Sequence, residues 1–166
     1  MPKKRFTTLT LGLFLCLPLF AQFHFEAGIN YANSSKMIAG VGTYIEPRYA
    51  LNDNTDLALH LGLTGFIGED QSRTKSSRIT TGTLPIFLMG LIRHFPTKGA
   101  KGVPYLGFGP GLYLSKGINF REGVKLGAGL RFGVFIGRSN IGFTQNFVPD
   151  DSFFQLNYGF RILNRD

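Results

Sequence analysis

The chain has 166 residues, 43% of them hydrophobic, and a formal charge of +8 from 18 Lys and Arg against 10 Asp and Glu. This length suits one domain. The basic excess does not describe a nucleic-acid surface, because the charges are scattered and form no basic stripe interleaved with aromatics.

Met1-Pro2-Lys3-Lys4-Arg5 is followed by an uncharged apolar run from Leu9 to Phe20 and then by Ala21-Gln22. A positive start, a short apolar centre and a small-residue exit make a secretory signal peptide, so residues 1–21 are expected to be cleaved near Ala21 and 22–166 to form the mature domain. The run of twelve residues falls short of the roughly 20 that a spanning helix needs, and Pro18 interrupts it. Cys16, the single cysteine, lies in this segment and follows Leu15 rather than a small residue. No disulfide, thiolate metal site or lipid anchor is therefore expected. Loss of Lys3, Lys4 and Arg5 leaves 15 basic against 10 acidic residues, a net charge of +5.

From Phe23 onward, period-two alternation predicts strands near 23–31, 40–50, 56–67, 79–95, 103–115, 124–137, 140–148 and 153–163. The sixth sets Val124, Leu126, Ala128, Leu130, Phe132, Val134 and Ile136 against Lys125, Gly127, Gly129, Arg131 and Gly133. The eighth sets Phe154, Leu156, Tyr158, Phe160 and Ile162 against Gln155, Asn157, Gly159 and Arg161. Helical spacing does not produce that separation. The fourth strand is apolar on both faces from Leu84 to Ile92 and contains Pro85, so the pattern leaves its faces unassigned. Short turns at Asn52-Asp53-Asn54-Thr55 and Arg138-Ser139 alternate with a longer charged link from Gly68 to Arg78, which suggests an up-and-down order. Pro96 to Gly102 is long for the short-turn side, and Pro149 to Ser152 is short for the other. No stretch of the mature chain approaches a membrane-spanning helix, so insertion would be through strands.

A soluble barrel carrying an apolar ligand would place its polar face outside. Here that face reads Gly107, Gly109, Gly111, Gly127, Gly129, Gly133, Gly142 and Gly159, which makes a poor soluble exterior and a good narrow interior. Of the 25 charged residues of the mature chain, eight fall within the predicted strands: Glu26, Glu46, Arg48, Asp56, Arg93, Lys125, Arg131 and Arg161. The lipid-facing set is expected to include Phe25, Ile29, Val41, Ile45, Leu57, Leu59, Leu61, Leu63, Leu106, Phe108, Leu112 and Phe143, with Tyr31, Tyr49 and Tyr158 at the interfaces. The expected fold is an all-β, eight-stranded antiparallel up-and-down transmembrane β-barrel in a bacterial outer membrane.

Pro104-Tyr105-Leu106-Gly107-Phe108-Gly109-Pro110-Gly111, Gly127-Ala128-Gly129-Leu130-Arg131-Phe132-Gly133 and Tyr158-Gly159-Phe160-Arg161-Ile162 resemble the outer-membrane β-barrel domain of Bacteroidota, including porin-T-like and OmpX-like small barrels. The resemblance covers nearly the whole mature chain. It implies an outer-membrane location and eight strands, and it carries no catalytic residues across. It also admits service as an accessory to a secretion machine.

Glu26, Glu46, Arg48, His60, Lys125, Arg131 and Arg161 are expected to point into the lumen as a structural polar cluster, with Glu26 and Arg161 meeting across the closing seam. An enzyme modifying lipid A would need a histidine beside a serine and a carboxylate. Arg93-His94-Phe95-Pro96-Thr97 offers a histidine without that serine, and His60 stands between Leu59 and Leu61, so no catalytic residue is assigned. Glu69-Asp70 and Asp150-Asp151 lack the further ligands of a cation site, and neither metal nor cofactor is expected. Interaction is expected at the outer loops, where Arg73, Lys75, Arg78, Lys116 and Arg121 are placed to contact lipopolysaccharide phosphates. The expected partners are outer-membrane lipids, lipopolysaccharide and a surface or secretion protein, with the barrel itself a monomer. Strand eight ends close to Asp166, so no peptidoglycan-binding domain is expected after it.

Overall fold

The computed structural model describes residues 23–34, 37–69, 79–117, 123–149 and 152–163. They form eight strands: β1 Phe23–Ser34, β2 Met37–Asn52, β3 Thr55–Glu69, β4 Ile79–His94, β5 Gly102–Gly117, β6 Gly123–Ile136, β7 Ser139–Phe147 and β8 Phe153–Leu163. Each pairs antiparallel with the next, and β1 pairs with β8 to close the barrel. Residues 1–22, on which the expected signal peptide (1–21) falls, lie outside the described residues.

One end of the barrel, the terminus end, carries the start of β1, the end of β8 and the links 53–54, 95–101 and 137–138. The opposite, loop end carries the links around 35–36, 70–78, 118–122 and 148–152. Strands reach further toward the loop end than alternation suggests, so Glu69 and Lys116 are strand residues rather than loop residues. At the terminus end the Asn54 amide donates to Asn52 Oδ1 at 3.0 Å, an Asx turn that reverses the chain in two residues. Gly137, at φ 59°, takes the left-handed conformation that the two-residue link from β6 to β7 requires. The seven-residue link after His94 is shaped by a turn in which the Ala100 amide donates to Thr97 O at 3.1 Å and Gly99 has φ 81°. Gly102, expected at the end of that link, instead opens β5.

The barrel is inverted relative to a soluble protein. Val41, Phe108 and Leu126 are 68%, 61% and 75% exposed, whereas Glu46 and Arg48 are 0% and 1% exposed. In water such an exterior would forfeit the main driving force of folding. The outward series predicted for β6 and β8 face out along most of their length, as Leu126, Leu130, Phe132, Ile136, Leu156, Tyr158, Phe160 and Ile162 show. The ambiguity of β4 is resolved: Ile86, Leu88 and Ile92 point inward, and Met89 and Leu91 outward.

The β4–β5 ladder is interrupted twice, between Thr83 and Ile86 and between Leu88 and Leu91. Each gap contains a proline, Pro85 on one strand and Pro110 on the other, which lacks the N–H that a ladder bond needs. At the second gap the backbones approach so closely that a Cβ on Gly109 would run into the Met89 carbonyl and the Gly90 Cα.

Inward glycines serve as seats for inward aromatics. Tyr44 lies across Gly28 and Gly159, Tyr105 across Gly133 and Gly142, and Tyr113 across Gly111 and Gly127. The six tyrosines thus divide: Tyr31, Tyr49 and Tyr158 face outward as expected, while Tyr44, Tyr105 and Tyr113 fill the lumen.

Candidate functional site

The lumen is layered. Its middle holds the charge network, built from alternate residues of β1, β2, β3 and β6 whose parity sends them inward. Glu46 accepts at Oε1 from Arg48 Nε at 2.7 Å and at Oε2 from Arg131 Nη1 at 2.5 Å, and His60 Nδ1 lies 2.9 Å from the same Oε2. Glu26 accepts from Arg48 Nη2 at 2.9 Å, Tyr44 Oη at 2.7 Å and Asn140 Nδ2 at 2.7 Å. Two carboxylates thus answer two guanidiniums, and His60, Tyr44 and Asn140 add further contacts to the carboxylate oxygens. Buried charges persist only with such pairing. His60 also stacks on Tyr44 with ring centroids 4.7 Å apart, which fixes the imidazole plane.

Toward the loop end an uncharged polar layer follows. Thr64 Oγ1 donates to Asn30 Oδ1 at 3.0 Å and accepts from Gln155 Nε2 at 3.2 Å. Asn146 Nδ2 donates to Gln155 Oε1 at 3.0 Å and its Oδ1 accepts from Tyr113 Oη at 3.0 Å. Above this layer Ala32, Phe66, Ile86, Leu88, Tyr113, Val148 and Phe153 form a buried apolar cap. Phe66 and Phe153 meet edge to face at 5.9 Å. A second apolar cluster of Ala58, Ile92, Tyr105 and Phe135 lies on the terminus-end side of the charges. The lumen is therefore filled by side chains, as a barrel of eight strands allows.

Of the expected lumen residues, Glu26, Glu46, Arg48, His60 and Arg131 come together in one network. Lys125 faces inward near the loop end, away from that network, and its Nζ donates to the Pro149 carbonyl at 3.4 Å. Arg161 is the register partner of Glu26, as the seam argument predicts. Their expected ion pair is not formed: Glu26 is occupied by Arg48, Tyr44 and Asn140, while the Arg161 guanidinium lies 3.7 Å over the Phe135 ring. Gln155 and Asn157 lie inward on the polar face read for the eighth strand, whereas the inward aromatics escaped the reading of the sequence. Their signal is parity, since Tyr105, Gly107, Gly109, Gly111 and Tyr113 all fall on one face of β5.

At the terminus end His94 Nε2 lies 2.8 Å from Asp56 Oδ2, a pair the sequence did not indicate. The partner of His94 is thus a carboxylate and not a hydroxyl, and Thr55 Oγ1 nearby accepts from Arg93 at 3.0 Å. Among the described residues no cluster of three or more His, Cys, Asp or Glu is placed to hold a metal ion. Arg73, Lys75, Arg78 and Arg121 lie outside the described residues, and Lys116 stands in β5 opposite Thr83.

These features define a closed, eight-stranded, up-and-down β-barrel with a filled polar interior and an apolar exterior. No family model matches the chain, and no curated protein matches it. Among solved structures it resembles Neisserial surface protein A, with TM-score 0.63, 20% identity, and coverage of 84% of this chain and 96% of that one. Ail of Yersinia pestis, solved with the heparin analogue sucrose octasulfate, matches with TM-score 0.51, 14% identity and coverage of 84% and 97%. The N-terminal β-barrel domain of Pseudomonas aeruginosa OprF matches with TM-score 0.50, 18% identity and coverage of 85% and 98%. All three show the same fold over nearly their full length.

Proposed function

We propose that this protein is an integral β-barrel of a bacterial outer membrane, non-catalytic and closed to solutes, that interacts with its surroundings through its loop end. The observation that carries the reading is the inversion: a paired charge network buried inside and apolar side chains exposed around the wall. Strands of 9 to 16 residues are long enough to cross a bilayer at the tilt of a barrel. With both strand ends of the chain on one side, that terminus end faces the periplasm and the loop end faces outward. Export by a cleaved signal peptide, residues 1–21, and kinship with the Bacteroidota barrels belong to the same proposal.

Buried apolar clusters on both sides of the polar layers support a lumen closed to solutes. Purified protein inserted in planar bilayers is expected to give no reproducible single-channel steps. Stable, uniform steps would show that the lumen opens.

For the loop end we propose contact with lipopolysaccharide phosphates through Arg73, Lys75, Arg78, Lys116 and Arg121. Ail, a barrel of this fold, was solved in complex with the heparin analogue sucrose octasulfate, which supports a polyanion as the class of partner. Replacing Arg73, Lys75 and Arg78 together by glutamine should weaken lipopolysaccharide binding at low salt. Unchanged binding by the triple variant would remove these residues from the interaction.

A further inference from the structure

Beneath the charge network the terminus end opens into a cavity of about 370 Å³, within the usual size range of small-molecule sites. Phe135 and Arg161 line it, with Asp53, Asp56, His24, His94 and Lys101 around the wall. Asp56 is already engaged by His94 at 2.8 Å. Arg161 is not engaged in the same way. Its natural carboxylate, the register partner Glu26, is turned to Arg48, and among the described residues no carboxylate pairs with the Arg161 guanidinium. Its buried Nε has no hydrogen-bond partner.

The guanidinium rests 3.7 Å over the Phe135 ring. Stacking satisfies the face of a guanidinium and leaves its in-plane N–H donors for something else, and those donors form the fork that fits an oxyanion. A buried donor left without a partner is costly, so such an arrangement is more stable with one supplied. Lys101 brings a second cation to the same cavity.

We infer that the terminus-end cavity is a binding site for a phosphate-type oxyanion, held by the fork of Arg161 and assisted by Lys101. Two sources offer that chemistry, a free phosphorylated solute and the headgroup of an anionic phospholipid. The cavity is several times the volume of the ion alone, so a carrier molecule fits with it. This inference does not depend on what the loop end binds.

The test uses the mature barrel in a non-ionic maltoside detergent, with inorganic phosphate as the probe and calorimetry or amide chemical shifts as the readout. Saturable one-site binding is expected. Arg161→Gln should weaken it by about tenfold or more. Lys101→Gln, at the more exposed position, should weaken it by about threefold. Arg138→Gln, a charge change at the same end but outside the cavity lining, should leave it unchanged. Retention of heat-modifiable gel mobility by each variant separates lost binding from lost folding, and Arg161→Lys, which keeps the charge without the fork, should fall between wild type and glutamine. Repeating the titration in phosphatidylcholine vesicles with and without phosphatidylglycerol separates the sources: weaker phosphate binding in the presence of phosphatidylglycerol assigns the site to a headgroup, and unchanged binding to a free solute. No saturable phosphate binding, or binding by folded Arg161→Gln equal to wild type, would overturn the assignment.

Discussion

Glu46→Ala is expected to lower the unfolding free energy of the barrel by about 3–5 kcal/mol, because it leaves buried guanidiniums without their carboxylate. Glu46 is 0% exposed and accepts from Arg48, Arg131 and His60. Arg48 retains Glu26 after the change, but Arg131 has no second carboxylate within ion-pair distance among the described residues, and its Nε and Nη2 already lack partners. Most of the loss should therefore come from Arg131. A paired variant isolates this cause. Glu46→Leu combined with Arg131→Met removes both charges, and exchange of a buried ion pair for packed apolar groups is often close to neutral. The double variant should be more stable than Glu46→Ala in urea titrations of the barrel refolded into vesicles. Equal instability of the two would mean that packing around Glu46, not charge compensation, holds the middle of the lumen.

Phe108→Arg is expected to destabilise the barrel in lipid by about 2–4 kcal/mol, the range for an arginine on the lipid face near the bilayer midplane. Phe108 lies near the middle of β5, opposite Leu91 on one side and Leu130 on the other, and is 61% exposed. An arginine there has no partner within the apolar wall and must bend toward an interface or thin the bilayer to reach water. Phe108→Leu serves as the control for the lost ring and should cost much less. If this wall instead faced water, the arginine would be tolerated within about 0.5 kcal/mol, as exposed substitutions usually are. Urea unfolding in vesicles distinguishes the two.

The architecture was legible in the sequence because a half-lipid, half-lumen strand must alternate, and β6 and β8 alternate almost without exception. Strand ends were placed within a few residues, with the largest extensions at Met37 and Ser34, where pairing of β1 with β2 continues past the last clear alternation. Five members of the charge network were also readable, since Glu46 and Arg48 share parity and a charge inside an apolar strand has only the lumen to enter. Which charge pairs with which was not readable. Register puts Glu26 beside Arg161, but side chains of this length reach across a narrow lumen as readily as along the seam, and Arg48 wins Glu26 from the neighbouring strand.

The filled lumen was only half visible. Glycine on the inward face signals a narrow interior, yet an empty-looking glycine face and an aromatic lying across it belong together. Tyr44 shares parity with Glu46 and Arg48, and Phe135 shares it with Arg131 and Gly133. Reading those aromatics as inward would have shown a packed interior rather than an open one. His94 with Asp56 joins residues 38 apart through the pairing of β3 with β4, a contact that spacing along the chain cannot reveal.

The most direct test of a closed transmembrane barrel combines fractionation with gel mobility. Cells producing the protein are separated into soluble, inner-membrane and outer-membrane fractions, and each is run with and without boiling in detergent. The protein is expected in the outer-membrane fraction, with an unboiled band that migrates apart from the boiled one because the closed sheet resists detergent until heated. Recovery in the soluble periplasm, or a band that does not shift on boiling, would contradict the account.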